Sequence, residues 1–379
     1  MKGMQALDYM NFLTPYLAID SSALMRNIHR MREFSRRVDV NVRPHVKTHK
    51  CPKIAKLQVE AGAIGVTCAK LGEAEVMVRR GIHDILIANQ VVDISKLTRI
   101  AELAKVADIK VCVDNPTNVQ AISEAARYMS SSIGIIIEVD IGMGRCGIRS
   151  KEDAVSLVRL IKSLPGLRFA GLLGYEGHTV LVEPRSVRLE NCTQANRKLV
   201  EVAKYLEKHG HKTGIVSGGG TGTYDMTGQY EGITEIEAGS YVFMDSCYGK
   251  LSLPFEQSLF LVSTVVSTPE QGVCVVDCGL KTATSEFGYP EPAFLLTTKG
   301  GEKPALSQLS EEDIQVKTLS EEHAILRINK PEFGISVGDK ILMIPSHICT
   351  TVNLYNEYHV FNSGSFVEKW TIEARGASY

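Results

Sequence analysis

Five short blocks of the chain concentrate residues that can do chemistry. The first is Arg43-Pro44-His45-Val46-Lys47-Thr48-His49-Lys50, directly after an apolar run. A lysine there is a candidate Schiff-base residue, because burial lowers an amine's pKa and leaves it neutral and nucleophilic. The same residues would equally serve as a solvated basic turn. The second block, from Glu138 to Gly147, sets glycines around Arg145. Glycine lets a backbone approach a ligand closely while the guanidinium donates hydrogen bonds. In the third, Gly174-Tyr175-Glu176-Gly177-His178, the tyrosine can stack on a flat ligand or simply pack. The fourth is Ser217-Gly218-Gly219-Gly220-Thr221-Gly222-Thr223. Consecutive N–H groups with hydroxyls beside them make an anion nest suited to phosphate. The fifth is Pro345-Ser346-His347-Ile348-Cys349. If this segment is a strand, alternation puts the imidazole and the thiol on one face. His and Cys suit zinc, and two ligands leave positions open for substrate or water. A buried pair with no metal is the other reading of the same spacing.

The elements that would carry these blocks follow a regular rhythm. Between about residues 38 and 242 the expected strands are 40–45, 65–69, 84–88, 109–113, 134–139, 169–175, 214–217 and 235–238. Amphipathic helices are expected at 52–61, 71–80, 94–104, 118–128, 150–163 and 185–209, with a short one between 221 and 233. Many of the strands are apolar on successive residues, as expected where helices cover one face and a packed interior the other. Eight strand–helix steps in this length predict an α/β fold, a (β/α)8 TIM barrel, in which chemistry sits at the C-terminal ends of the strands. An open doubly wound sheet is the alternative, but it would carry GxGxxG after its first strand, and none is there. After about residue 245 the rhythm changes to runs at 259–267, 272–277, 324–328 and 340–344 between Pro, Gly and charged turns. This predicts a second, C-terminal β-rich domain. Residues 14–20 read as a strand that joins it. The expected division is a barrel over 20–244 and a β-rich domain over 245–379 with 1–19.

Composition narrows the class. The 379 residues carry 42 Lys+Arg against 43 Asp+Glu, a net charge of −1. That balance speaks against nucleic-acid binding, which favours a basic excess. With 44% apolar and 22% charged residues the chain reads as globular, not disordered. No apolar run is long enough for a membrane span. The opening residues, 1–8, show no apolar segment of a secretory signal. Nine scattered cysteines without CxxC pairs fit reduced thiols and a cytoplasmic location.

In their order, these motifs resemble the pyridoxal-phosphate-dependent, metal-activated D-amino-acid lyases of the alanine-racemase-like fold type. That family includes D-serine dehydratase, D-threonine aldolase and D-threo-3-hydroxyaspartate dehydratase. The resemblance runs from Thr14-Pro15 to the His347–Cys349 pair. It rests most on Arg43-Pro-His-x-Lys47-Thr-His-Lys50 and on Pro345-x-His347-x-Cys349. It implies that Lys47 holds pyridoxal 5'-phosphate through its amine and that Arg145 bonds the phenolic oxygen. Tyr175 would stack on the ring, and the loop with Ser217, Gly219, Gly220 and Thr221 would take the phosphate. His347 and Cys349 would bind a divalent metal, zinc or manganese. Lys47, Tyr175 and His347 would be the catalytic residues. Glu237 falls where alanine racemases have an arginine. A carboxylate there would keep a proton on the ring nitrogen and strengthen the electron sink.

The implied activity is a lyase of β-hydroxy-D-amino acids. Lys47 would take the Cα proton, and water loss would yield a 2-oxo acid and ammonia. Retro-aldol cleavage to glycine and an aldehyde is the first alternative. The family's aldolases more often have His-x-Asp as the metal pair and a histidine several residues beyond the stacking tyrosine. Here the pair is His-x-Cys, Leu181 falls near that place, and His178 lies closer in. A racemase and a non-enzymatic pyridoxal-phosphate-binding protein are further alternatives, as is a metal-free barrel whose β-domain serves assembly. The resemblance also implies a homodimer, with a small D-amino acid as substrate and neither nucleic acid nor membrane as partner.

Overall fold

Runs of β-branched residues with no polar face demand cover on both sides, and the chain supplies it. A computed structural model describes residues 8–297 and 304–379. The opening segment read above as lacking a signal lies, up to residue 7, outside the described residues. The chain divides into two units. One comprises His29–Lys47, Pro52–Gly239 and Gly376–Tyr379; the other comprises residues up to Ile28, Thr48–Cys51 and Ser240–Arg375.

The first unit is the barrel. Its parallel strands are Asn41–Val42, Val66–Cys68, Asp84–Gln90, Asp108–Val113, Ile133–Glu138, Leu167–Leu173, Ile215–Gly218 and Glu235–Ile236. Each pairs with the next in sequence from Val66–Cys68 onward, and the last pairs with the first. A lone bridge between His45 and Thr67, with Thr67 N–H donating to the Pro44 carbonyl at 2.9 Å, joins the first strand to the second. The ring is thereby closed. All six residues of Ile133–Glu138 are buried, as expected for a strand lying beneath helices.

Helices start where their caps dictate. Asp93 accepts from Lys96 N–H ahead of Ile94–Leu103. Asn115 accepts from Thr117 N–H, with Pro116 in the first turn of Pro116–Met129. Ser150 accepts from Asp153 N–H, and Glu152 and Asp153 stand in the first turn of Lys151–Ser163, where the helix dipole favours anions. The expected short helix in the seventh connection is the single turn Tyr224–Thr227.

Charged side chains cluster around Arg43 inside the barrel. Arg43 is 1% exposed. Its Nε donates to Glu235 Oε1 at 3.0 Å and its Nη1 to Asp84 Oδ1 at 2.5 Å. Lys110 Nζ reaches Asp84 at 2.8 Å and Asp108 at 2.7 Å, and Arg168 also pairs with Asp108. Arg43 therefore does not join a solvated basic turn at the mouth. Breaking such a buried pair leaves an uncompensated charge and costs about 3–5 kcal/mol.

The second unit is β-rich. Tyr16–Asp20 pairs antiparallel with Leu259–Ser267 and parallel with Glu357–Asn362. Lys340–Ile344, Glu291–Thr297 and Ala305–Gln308 extend the sheet on one side and Ser365–Thr371 on the other. Val273–Val276, Ala324–Ile328 and Ile314–Leu319 branch from Leu259–Ser267. The core on this sheet gathers Tyr9, Tyr16, Phe260, Val262, Leu296, Leu342 and Phe361. The expected strands at the chain start and at 259–267, 272–277, 324–328 and 340–344 are all present. Among the described residues, no helix is long and apolar enough to cross a membrane, and all nine cysteines are free.

Candidate active site

In the barrel unit, the first strand leads into the 3-10 turn Val46–Thr48, which carries a half-buried Lys47. Its Nζ stands 5.9 Å from the centroid of the Tyr175 ring. Tyr175 follows the strand Leu167–Leu173. Its ring fits between two glycines. A Cβ on Gly177 would come within 2.4 Å of Tyr175 Cε1, and one on Gly220 within 3.3 Å of Cε2. Glycine is thus a packing requirement at 177, and Gly220 brings the Gly-rich loop against the ring.

That loop turns inward. Gly219 has φ +83°, a left-handed conformation that suits glycine, and its N–H donates to Glu176 Oε2 at 3.1 Å. The Gly220 N–H donates to Thr223 Oγ1 at 3.1 Å. The loop lies where a phosphate was expected, but the N–H of Gly219 points to a carboxylate of the chain itself. Thr221 is buried beside it.

Ser217 and Glu237 sit side by side, the hydroxyl donating to Glu237 Oε1 at 2.6 Å. Glu237 keeps some accessible surface, yet stands deep enough that desolvation pushes its carboxyl up to about 7, against the opposing hydrogen bond from Ser217. Its hydrogen-bond partners are the hydroxyls of Ser217 and Thr67, not a cation.

Arg145 is exposed on the loop after Ile133–Glu138, and its Nη2 lies 3.8 Å from Glu138 Oε1. The loop is pinned at both ends. Asp140 Oδ1 accepts from the N–H of Gly142 and of Gly144, and Asp114 Oδ2 accepts from Gly147 N–H at 2.8 Å. Glu138, whose carboxyl burial pushes up, accepts from Gln90 Nε2 at 2.5 Å. The exposed His178 ring lies over Gly142, where a Cβ would come within 2.6 Å of it.

In the β-rich unit, His347 and Cys349 do meet, but not through strand alternation. The strand ends at Ile344. His347 is the extended cap (φ −138°, ψ 121°) of the short helix Ile348–Val352, and Cys349 lies in that helix's first turn. The strand geometry expected for the pair is corrected accordingly: Pro345 and Ser346 break the strand first. The two side chains are nevertheless within hydrogen-bond reach. His347 Nδ1 bonds Glu286 Oε1 at 2.6 Å, and Thr350 Oγ1 donates to the same oxygen at 2.6 Å. Cys349 Sγ lies 3.5 Å from Thr48 Oγ1 and 3.9 Å from Ser240 Oγ. Asp245 is 1% exposed, and desolvation pushes its carboxyl up to about 6 although it accepts from the N–H of Tyr248 and Ile348. Desolvation alone would lower the His347 pKa; Cys349, Asp245 and Glu286 instead push it up to about 9. No three metal-ligating side chains converge among the described residues.

Sequence reasoning did not assign Glu176, Glu286, Asp245 or Gln90. Glu176 had a signal, since it adjoins Tyr175. Glu286 is 61 residues from His347 and carried none. Two residues whose roles the sequence leaves open lie apart from these contacts. Lys281 pairs with Glu321 and Glu322 at the surface, and Tyr289 is 43% exposed.

The chain is similar to known proteins over nearly its whole length. Residues 19–247 match the family model described as alanine racemase, N-terminal domain, and residues 258–361 match a putative serine dehydratase domain. A D-threonine aldolase of Arthrobacter sp is 36% identical over 96% of this chain and 93% of its own. The crystal structure of D-threonine aldolase from Filomicrobium marinum superposes with TM-score 0.92 at 32% identity, covering 99% of both chains. A D-threo-3-hydroxyaspartate dehydratase of Delftia sp. is 26% identical over 94% of this chain and 96% of its own. A solved variant of a D-threo-3-hydroxyaspartate dehydratase with one cysteine changed to alanine is in a metal-free form. It superposes with TM-score 0.84 at 25% identity over 96% of this chain and 98% of that one.

Proposed function

We propose, since the chain belongs to the D-threonine aldolase and D-serine dehydratase family of the alanine racemase fold, that it removes water from a β-hydroxy-D-amino acid with the help of a divalent metal. At the coarser level it is a pyridoxal-phosphate-dependent lyase of β-hydroxy-D-amino acids. The observation that carries the reading is the approach of the Lys47 amine to the Tyr175 ring, with the Gly-rich loop against that same ring.

The residues fit the cofactor. Lys47 offers an amine for its aldehyde, Tyr175 a flat face for its ring, and the turn around Thr221 a nest for its phosphate. Arg145 offers donors to its phenolic oxygen. Glu237, a deep carboxyl bonded by hydroxyls alone, suits a protonated ring nitrogen. Bound there, pyridoxal phosphate supplies a sink for the negative charge that develops at the substrate's Cα. With the cofactor bound, Lys47 would hold it through its amine and, once free, would take the substrate's Cα proton from its own side, which would select the D configuration. Glu237 would keep the ring nitrogen protonated, and Tyr175 would keep the ring in place.

The metal fits too. His347 and Cys349 are an N/S donor pair, and the Glu286 bond to Nδ1 leaves Nε2 as the ligating nitrogen. Zinc is favoured, and manganese is the alternative. Such an ion supplies Lewis acidity to the β-oxygen, which matters because hydroxide leaves poorly. Loss of water and hydrolysis of the resulting enamine give a 2-oxo acid and ammonia. The proposal includes a homodimer, as the family resemblance implies, and a cytoplasmic location, for which the free thiols are the support.

Retro-aldol cleavage is the second reading. It is favoured by the 36% and 32% identity to aldolases against 26% to a dehydratase. D-serine, D-threonine and D-threo-3-hydroxyaspartate, each with its L-isomer, separate the two. Ammonia and 2-oxo acid from the D-isomers support elimination, and glycine with aldehyde supports cleavage. Loss of optical rotation with the amino acid conserved would overturn both.

A further inference from the structure

We propose that Glu176 is the positioning residue that shapes the phosphate loop, an inference that rests on the cofactor reading above. Glu176 has 0% exposure. Its carboxylate gathers three donors from the seventh connection of the barrel. Oε2 accepts from Gly219 N–H at 3.1 Å. Oε1 accepts from Thr223 Oγ1 at 2.7 Å and from Thr227 Oγ1 at 2.6 Å. The network continues outward: Thr223 Oγ1 accepts from Gly220 N–H, and Thr227 Oγ1 from Asn196 Nδ2 at 3.1 Å. One buried side chain thus reaches both ends of the glycine run and the helical turn behind it.

The chemistry of this placement is unusual for an anion site. A carboxylate beneath a phosphate loop repels the phosphate, and a buried charge is retained at a cost unless its hydrogen bonds do something in return. Here they turn the Gly219 and Gly220 N–H groups inward. Because Glu176 is bonded in sequence to Tyr175, the same residue ties the stacking ring to the phosphate cradle. Loop order outweighs repulsion in this assignment, so removing the charge should weaken phosphate recognition, not improve it.

The test compares pyridoxal phosphate with pyridoxal, which keeps the aldehyde and ring but lacks the phosphate. Equilibrium absorbance titrations give both affinities for the wild-type protein and for Glu176→Gln, Thr223→Val and Thr227→Val. The two valine variants remove single hydroxyls and keep side-chain shape should Glu176→Gln fail to fold. The wild type should prefer the phosphorylated form. Glu176→Gln, which can accept at one oxygen instead of two, should reduce that preference roughly tenfold or more, with pyridoxal affinity unchanged. Each valine variant should reduce it by a smaller factor. An unchanged or increased preference in all three overturns the role of Glu176, and so does an equal loss of both affinities. A wild type with no preference for the phosphorylated form overturns the cofactor reading itself.

Discussion

The Lys47 amine faces the Tyr175 ring at 5.9 Å, and the two residues come from the loops after the first and sixth strands of one barrel. Backbone space at Gly177 and Gly220 holds the ring there. A stacking role needs the ring face and not the hydroxyl. Tyr175→Phe should bind pyridoxal phosphate nearly as well as wild type, whereas Tyr175→Ala should bind it about tenfold more weakly. Absorbance titration measures both, and equal losses in the two variants would assign the effect to the hydroxyl.

The Glu286–His347 bond leads to a prediction on metal affinity. Partners that orient a ligating histidine contribute about 10–100-fold in metal affinity. Glu286→Ala should weaken zinc binding by that order, Cys349→Ala by more, and Glu286→Gln less than Glu286→Ala. Competition against a chromophoric chelator reads all three. Unaltered zinc affinity in Cys349→Ala would remove the pair from the metal site.

Both sites show how far sequence reasoning reaches. That Lys47, Tyr175 and the Gly-rich loop lie at strand ends was legible from the strand–helix rhythm, because barrel strands deliver their last residues to one end. Asp245 and Glu286 were not legible, because they lie on loops with no periodicity and their partners are set by tertiary contact; Glu176 was marked only by adjoining Tyr175. Arg43 shows the opposite error. Its neighbours suggested a solvated turn, yet it lies inside the barrel against Glu235 and Asp84. The His347–Cys349 pair was found by spacing, though a helix start, not a strand, brings the two together.

Glu237 offers a kinetic prediction. If its carboxyl keeps the ring nitrogen protonated, Glu237→Gln weakens the electron sink and leaves substrate binding intact. Turnover should fall by roughly one to two orders of magnitude with KM changed less than threefold. A loss confined to KM would contradict this role.

His359 gives the protein an acid-sensitive point. It is 6% exposed among Phe12, Tyr16 and Phe366, and desolvation lowers its pKa to about 4. The unfolded chain takes up the proton near 6.5, so the unfolded state binds more protons in this window. Stability should therefore fall as pH drops from about 6.5 to about 4, by about 1–2 kcal/mol from this residue once solvent screening is allowed for. In His359→Leu that part of the slope should vanish in urea titrations across the window. An unchanged slope would place the acid sensitivity elsewhere.

The most direct measurement is chemical. The purified protein is loaded with pyridoxal phosphate and reduced with borohydride, and its peptides are mapped by mass spectrometry. One stable pyridoxyl modification is expected, on Lys47, and none in Lys47→Ala. Modification of Lys50 instead, or no trapped adduct in a protein that turns over D-amino acids, would contradict it.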